Sequence, residues 1–273
     1  GKYSDVQQLM MRCKFNGRGD STGMERMMMN AGIKKGSFGG LVAGLLLAAI
    51  PVSAFAGVAG QVTHLSGTLS ARPAEGGSRL LAVRSEIREG ELLTTEKDTY
   101  ARIKFVDGAE MVMRPSSQLR VSAYRYAEHD PASDNVLLNL LKGGLRAVTG
   151  LIGKRNHPAV SVNTPTATIG IRGTNFGALF CHQDCAHIPS ISGQPLADGL
   201  HVDVADGAIL LQNPAGQQLI SAGQFGFVPG NTLPPVLVPP QQGVQVTMPS
   251  AISQNDATGA GIGRDANPSC VAQ

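Results

Sequence analysis

From Gly57 to about Val228 the chain alternates apolar and polar residues over short stretches. Turn signals recur roughly every ten residues, the spacing of an all-β domain built from short antiparallel strands. Tyr100–Val106 alternates cleanly, and Asp107-Gly108 then leads into Met111-Val112-Met113. Asp-Gly between two apolar runs predicts a tight hairpin in which both central residues take positive φ. The same device at Asp206-Gly207, between His201–Val204 and Ile209–Leu211, predicts a second hairpin. Val62, His64 and Thr68–Ser70 flank a further turn at Ser66-Gly67. The apolar run Asn135–Lys142 fits two helical turns stopped by Gly143-Gly144, or a buried strand. Its β-rich surroundings favour the strand.

Beyond Val228 the pattern lapses. Pro229, Pro234, Pro235, Pro239 and Pro240 punctuate the sequence, and residues 207–273 hold three charged side chains, Asp256, Arg264 and Asp265. Proline at this density favours extended, unpaired backbone. Residues 229–273 therefore read as a Pro-rich linker and disordered tail without a core of its own.

Composition supports the β reading. Hydrophobic residues make up 42% of the 273, enough for a core, while 34 Gly and 16 Pro supply turns. The net charge of +3 is concentrated at the start. Residues 1–36 carry seven Lys/Arg and three Asp/Glu, and 37–56 carry none, leaving 16 basic against 17 acidic of the chain's 23 and 20. The main body thus has no electrostatic footprint for nucleic acid or anionic lipid.

Lys34-Lys35, the apolar centre Leu41–Ile50, Pro51 and the small-x-small ending Ala54-Phe55-Ala56 form the three-part pattern of a secretory signal peptide. Cleavage after Ala56 would release a periplasmic or secreted protein, touching the membrane only if the leader stays attached. The rival reading, one transmembrane helix, needs about 20 apolar residues. The short apolar centre and the Pro weigh against it. The expected plan is a leader over 1–56, a β domain over 57–228 with a polar insert at 181–199, and the tail over 229–273.

Export would put the cysteines in an oxidising space. Cys181 and Cys185, four apart in a polar stretch, then read as a disulfide pinning a loop, with Cys270 unpaired in the tail. The neighbouring His182 and His187 make zinc the competing reading. The spacing is not that of a zinc finger, however, and no metal ligand is assigned. No G-x-S-x-G, H-E-x-x-H, Walker A or G-x-G-x-x-G is present, so no catalytic residue or cofactor site is assigned. Glu89 and Glu91, spaced as an acid pair might be, read as a solvated turn.

The most informative stretch is Asn163–Phe176, which contains Thr164-Pro165, Gly170 and Arg172-Gly173-Thr174. Thr166, Thr168 and Gly170 fall on one strand face, and Ala167, Ile169 and Ile171 on the other. One guanidinium can satisfy several backbone carbonyls where strands diverge, so Arg172 is expected to be a buried knot in the core. This block closely resembles the signature of the FecR domain, a periplasmic β-rich module of bacterial cell-surface signalling proteins. Gly60-Gln61-Val62, Arg88–Thr95, Phe105–Gly108, Gly143–Arg146, Val204–Ile209 and Ser221–Gln224 resemble its other segments in order, so the likeness covers about residues 60–228. The insert 181–199 departs from it.

The resemblance implies a twisted β-solenoid or a sandwich-like fold, and periodicity does not separate the two. It also implies a non-catalytic module that binds an envelope protein or a glycan. Long regulators of the family add a Trp-bearing cytoplasmic anti-sigma segment and a transmembrane helix. Here 36 residues precede the uncharged stretch and Trp is absent. The alternative function is that of a single-span transducer regulating an extracytoplasmic-function sigma factor in iron-siderophore sensing.

Overall fold

The computed structural model describes residues 57–249 and Ile252. The expected leader, its cleavage site and Cys270 lie outside the described residues. Among the described residues no helix is long and apolar enough to cross a membrane.

Fifteen strands join one hydrogen-bonded sheet. The first eight are short: β1 (Val58–Ser66), β2 (Leu69–Arg72), β3 (Arg79–Leu81), β4 (Glu86–Arg88), β5 (Leu92–Thr95), β6 (Tyr100–Phe105), β7 (Glu110–Met113) and β8 (Gln118–Arg125). Next come β9 (Asn135–Val148), a single helical turn α1 (Leu151–Arg155), β10 (Val160–Asn163), β11 (Thr168–Cys181) and β12 (Gly199–Asn213). The chain closes with β13 (Gly216–Ser221), β14 (Phe225–Val228) and β15 (Val236–Val238). The all-β expectation holds, with two differences. β9, β11 and β12 are 14 to 15 residues long, and β9 pairs with β10 in parallel, through the crossover that carries α1.

Those three long strands organise the molecule because each changes partners midway. β9 pairs through its first half with β8 and β10, and through its second half with β7 and β11. The change falls at Gly143, φ 72°. Gly143-Gly144, the stop in the helical alternative, lies inside the strand, which runs through it. A Cβ at Gly143 would collide with Ser117, whose hydroxyl accepts from Gly144 N–H at 2.9 Å. Only a residue without Cβ turns this corner.

β11 and β12 bend together. Between the pairs Arg172–Ala208 and Asn175–Asp206, two residues of β11 face one of β12, a β-bulge. Gly173 and Gly207 both have positive φ there, 59° and 74°. A Cβ on Gly207 would run into the Gly173 carbonyl. Asp206-Gly207 is therefore not the hairpin its sequence predicts: β12 continues through it as a bent strand. The side chains of both arms enter one core, among them Leu140 and Leu145 of β9, Ile169 and Phe176 of β11, and Val202 and Ile209 of β12. A sheet folded over at its glycines is the sandwich-like alternative. A solenoid would stack parallel coils, whereas here one pairing is parallel.

Asp107-Gly108 does join β6 to β7, but through a four-residue loop in which Gly108 alone of the pair has positive φ, 80°. Asp107 is 2% exposed. Its carboxylate accepts from Tyr124 Oη at 2.6 Å, Ala109 N–H at 3.0 Å and Ile152 N–H at 3.2 Å. The turn residue thus ties α1 and β8 to the hairpin. Burial, together with the adjacent Asp107 charge and hydrogen bond, pushes the Tyr124 phenol well above its ordinary pKa.

Candidate functional site

The stretch that dominates the sequence is built as a structural device. Thr164 Oγ1 accepts from Thr166 N–H and Ala167 N–H at 3.3 and 3.1 Å, forming with Pro165 the turn from β10 to β11. Ala167, Ile169 and Ile171 enter the core as the alternation predicts. Gly170 faces Leu210 across the β11–β12 pair. Gly173 makes the bulge, and Thr174 is held by Thr149, which accepts its N–H at 2.6 Å and donates to its carbonyl at 2.7 Å. Arg172 corrects the expectation. Strand alternation puts it on the face opposite Ile169 and Ile171, where it is exposed and its side chain makes no hydrogen bond or ion pair among the described residues. Glu89 and Glu91 do not form a solvated pair either. Glu91 is 4% exposed and held by Arg79 at 2.8 Å, while Glu89 accepts from Tyr124 N–H.

The buried arginines are elsewhere. Arg102 pairs across the strands with Val112, Val112 with Arg146, Arg146 with Gly177, and Gly177 with Asp203. Opposed residues on adjacent strands share a sheet face, so these form one row across β6, β7, β9, β11 and β12. Arg102 is ion-paired with Glu110. Arg146 reaches over Gly177 and donates to Asp203 Oδ2 at 2.8 Å and to the Val246 carbonyl at 3.1 Å. Asp203 Oδ1 in turn accepts Val246 N–H at 3.0 Å.

Val246 belongs to the segment read as tail, and here the domain boundary at 228 moves. β15 pairs with β14. Val244, Val246, Met248 and Ile252 are buried against Val112, Leu179, Cys181 and Cys185 in a second hydrophobic cluster. The prolines gave the segment its unpaired backbone, but four apolar side chains give it something to bury. It is a strap across the charged row. Sequence reading placed Arg146 and Asp203 within longer segments and gave neither a role. Their one signal is a charge at the centre of the apolar runs Gly143–Val148 and Leu200–Val204.

Two residues along, Gly144, Leu179, His201 and Phe227 form the next row on that face. The insert between β11 and β12 lies beside it. Cys181 and Cys185 are bonded to each other, S–S 2.05 Å, and both are buried. The sulfurs are therefore not free as thiolate ligands, and His182 and His187 are exposed. Among the described residues no group of three or more His, Cys, Asp or Glu side chains could hold a metal ion. The insert is tied at its far end by Ile191 N–H to the Gly243 carbonyl at 2.9 Å and Ser192 N–H to the Gln241 carbonyl at 3.0 Å. Insert and strap thus brace one another.

Two recesses flank this roof. A groove of about 240 Å³ is lined by Ser190, Ser192, Gln194, His201, Phe227 and Gln242, among others. Its His201 Nε2 lies 2.8 Å from the Ala197 carbonyl and the ring is tilted on Phe227 at 4.6 Å. Burial pushes the imidazole pKa down, and the bond to Ala197 works the other way. The Ser190 and Ser192 hydroxyls bond one another at 3.1 Å. The ring nitrogen is thus not aimed at either hydroxyl, as a nucleophile-activating base would be. On the other side is a larger cleft of about 510 Å³. Lys97, Tyr100, Arg114, Lys142, Asp184 and His187 line it. Lys142 Nζ lies 3.6 Å from Asp184.

Residues 91–210 match the family model described as FecR protein. A crystal structure of a candidate anti-sigma factor from Parabacteroides distasonis is similar at 13% identity and TM-score 0.40, over 56% of this chain and 61% of that one. A second crystal structure with the same description, at 2.50 Å resolution, gives TM-score 0.39 with the same identity and coverage. A protein described as a cell surface anchoring domain is 29% identical over 23% of this chain and 82% of its own, with TM-score 0.22. This chain thus spans 61% of the length of the first of these. None of the curated proteins matches it.

Proposed function

We propose that this chain, which carries a FecR domain over residues 91–210, is an exported, non-catalytic binding module of a cell-surface signalling system. The observation that carries the reading is the Cys181–Cys185 disulfide within the insert that roofs the second row. Disulfides persist in oxidising compartments, which fits export. A covalently fixed loop beside two recesses, on a face otherwise closed by the strap, is suited to recognition. Its ordering cost is paid before any partner arrives. The partner contacts are the insert and the recess rims, and the folded-over sheet is the scaffold that holds them.

Disulfide mapping and intact mass of protein recovered from the cell envelope test the compartment. The expected result is a mature chain beginning at Gly57 with Cys181 and Cys185 joined. Recovery in the cytosol with both thiols alkylatable would overturn export. A signalling reporter compared between the parent and Cys181→Ser/Cys185→Ser tests the recognition surface. The pair of substitutions should weaken the response while leaving the sheet folded, and an unchanged response would remove the insert from the interaction.

A further inference from the structure

Arg114 differs from the two deeply buried arginines. Arg102 has Glu110 and Arg146 has Asp203. Arg114 is partly buried, yet its guanidinium makes no hydrogen bond or ion pair among the described residues. Its guanidinium, with five fixed N–H donors, belongs to a residue that lines the cleft of about 510 Å³ and has no protein acceptor among the described residues. Removal from water pushes its pKa down, and nearby Tyr100 and Asp203 act in the opposite sense. A partly desolvated cation with no acceptor in direct contact is an arrangement that an anion would complete.

The surroundings hold the side chain in place. Arg114 N–H donates to the Gly144 carbonyl at 2.9 Å, and the Arg114 carbonyl accepts from Thr95 Oγ1 at 2.6 Å. Gly144 leaves room for the stem, since a Cβ there would sit 3.2 Å from Arg114 Cδ. Lys97 and Lys142 add two cations at the rim, against Asp98 and Asp184. Asp184 is already engaged, by Lys142 and by His182 N–H at 2.9 Å. Three of the four non-glycine residues with positive φ, Asp98, Ser116 and Gln183, lie in the loops that border this cleft. Strained backbone at a rim is characteristic of binding sites. The volume falls in the range of small-molecule pockets.

We propose that this cleft is an anion site, with Arg114 as its anchor and Lys97 and Lys142 as flanking charges, for a small ligand bearing a carboxylate or phosphate group. The site rests on reading the roofed face as the recognition surface, and it names the chemistry recognised there. Planar oxyanions suit a guanidinium because two parallel N–H donors can engage two oxygens at once. The Cys181–Cys185 bond fixes the wall that carries Asp184 and His187, so the ligand meets a preformed cleft.

Thermal melts of the full chain at low, constant ionic strength test this, with inorganic phosphate and malonate as separate probes and chloride as the control. The midpoint should rise with the logarithm of phosphate or malonate concentration and not with chloride, as binding linkage requires. The arm with the larger shift assigns the anion type. Arg114→Gln should abolish the rise while leaving the ligand-free midpoint unchanged or higher, because no protein partner is lost. Lys142→Ala should weaken apparent affinity by up to about fivefold, the effect of one lost partly exposed charge contact. Equal shifts with chloride, or an undiminished shift in Arg114→Gln, would overturn the site. A weakened signalling response in Cys181→Ser/Cys185→Ser alongside absent anion stabilisation would remove the anion site and leave the recognition reading standing.

Discussion

Replacing Asp203 with Ala should cost a large part of this domain's stability. Arg146 and Asp203 are 2% and 4% exposed, so neither charge can turn to solvent without the strap lifting. With Asp203 gone, Arg146 keeps one neutral acceptor, the Val246 carbonyl at 3.1 Å, and Val246 N–H loses its acceptor. Removing one partner of a buried pair typically costs about 3–5 kcal/mol, because it strands the other charge. Domains of this kind are stable by about 5–15 kcal/mol, so the loss would be a third or more of the total in most of that range. With a urea slope of about 2 kcal/mol/M, the midpoint should fall by about 1.5–2.5 M.

The pair can also be separated from mere packing. Arg146→Met alone should be as damaging as Asp203→Ala, since it strands a carboxylate. The double variant Arg146→Met/Asp203→Leu should recover most of the loss, because two matched apolar side chains leave no charge behind. Urea melts of the parent, Arg146→Met, Asp203→Leu and the double variant close the double-mutant cycle, and limited proteolysis reports whether the strap has lifted. A midpoint in Asp203→Ala within about 0.3 M of the parent, a fifth or less of the shift expected from the slope, would refute the stranded-charge reasoning. So would a double variant no more stable than the worse single one.

Truncation after residue 243 should lower the thermal midpoint and expose apolar surface to dye, since it strips Val244, Val246, Met248 and Ile252 from Val112 and Leu179. Each such buried side chain is worth about 1.5–3 kcal/mol before ordering costs, and truncation after 252 should be far milder. Gly207→Ala should destabilise by about 2–5 kcal/mol, combining backbone strain at φ 74° with overlap on the Gly173 carbonyl. Unchanged melts would show that the paired bulges are not needed. Arg172→Ala should shift stability by no more than about 0.5 kcal/mol, as for other exposed positions, and a larger loss would restore the buried role. His201 makes stability fall in acid: its folded pKa is depressed by burial, so the unfolded chain binds the proton more readily. Its contribution is complete above about pH 6.5 and declines as pH drops below that value. His201→Gln should flatten the difference in urea midpoint between pH 7.5 and pH 5.5.

The strand content and much of the core were legible because alternation is local. Ala167, Ile169 and Ile171 point inward as their spacing requires, and Tyr100–Phe105 is a strand. The Asn135–Lys142 run is strand as well. What could not be read was whether a Gly ends an element or bends it. Asp107-Gly108 and Asp206-Gly207 look alike in sequence, since a hairpin and a bulge both use a Gly with positive φ. They differ only in what lies opposite: β7 returns after Gly108, whereas Gly207 faces the matching bulge at Gly173. That information belongs to a strand more than 30 residues away in the chain, so no local pattern carries it.

Arginine posed the same difficulty in another form. The sequence around Arg172 is so ordered that a central role for it followed naturally, yet the order serves the turn at Thr164-Pro165 and the bulge at Gly173, and the side chain is left outside. Arg146, in an ordinary apolar strand, is the arginine that is buried, because two things invisible locally coincide over it. Gly177 on the neighbouring strand leaves space above the sheet, and a segment 100 residues later in the chain fills that space with the Val246 side chain while its carbonyl accepts from Arg146. The prolines that made this segment look detached flank β15, which joins the sheet edge, and beyond Gly243 the chain crosses the face without strand pairing. A strap without strand pairing must hold on through side chains and a few backbone contacts. That is why its anchoring depends on the Arg146–Asp203 pair, and why this face of the sheet is divided between a charge-locked row under the strap and a second row beside the disulfide loop.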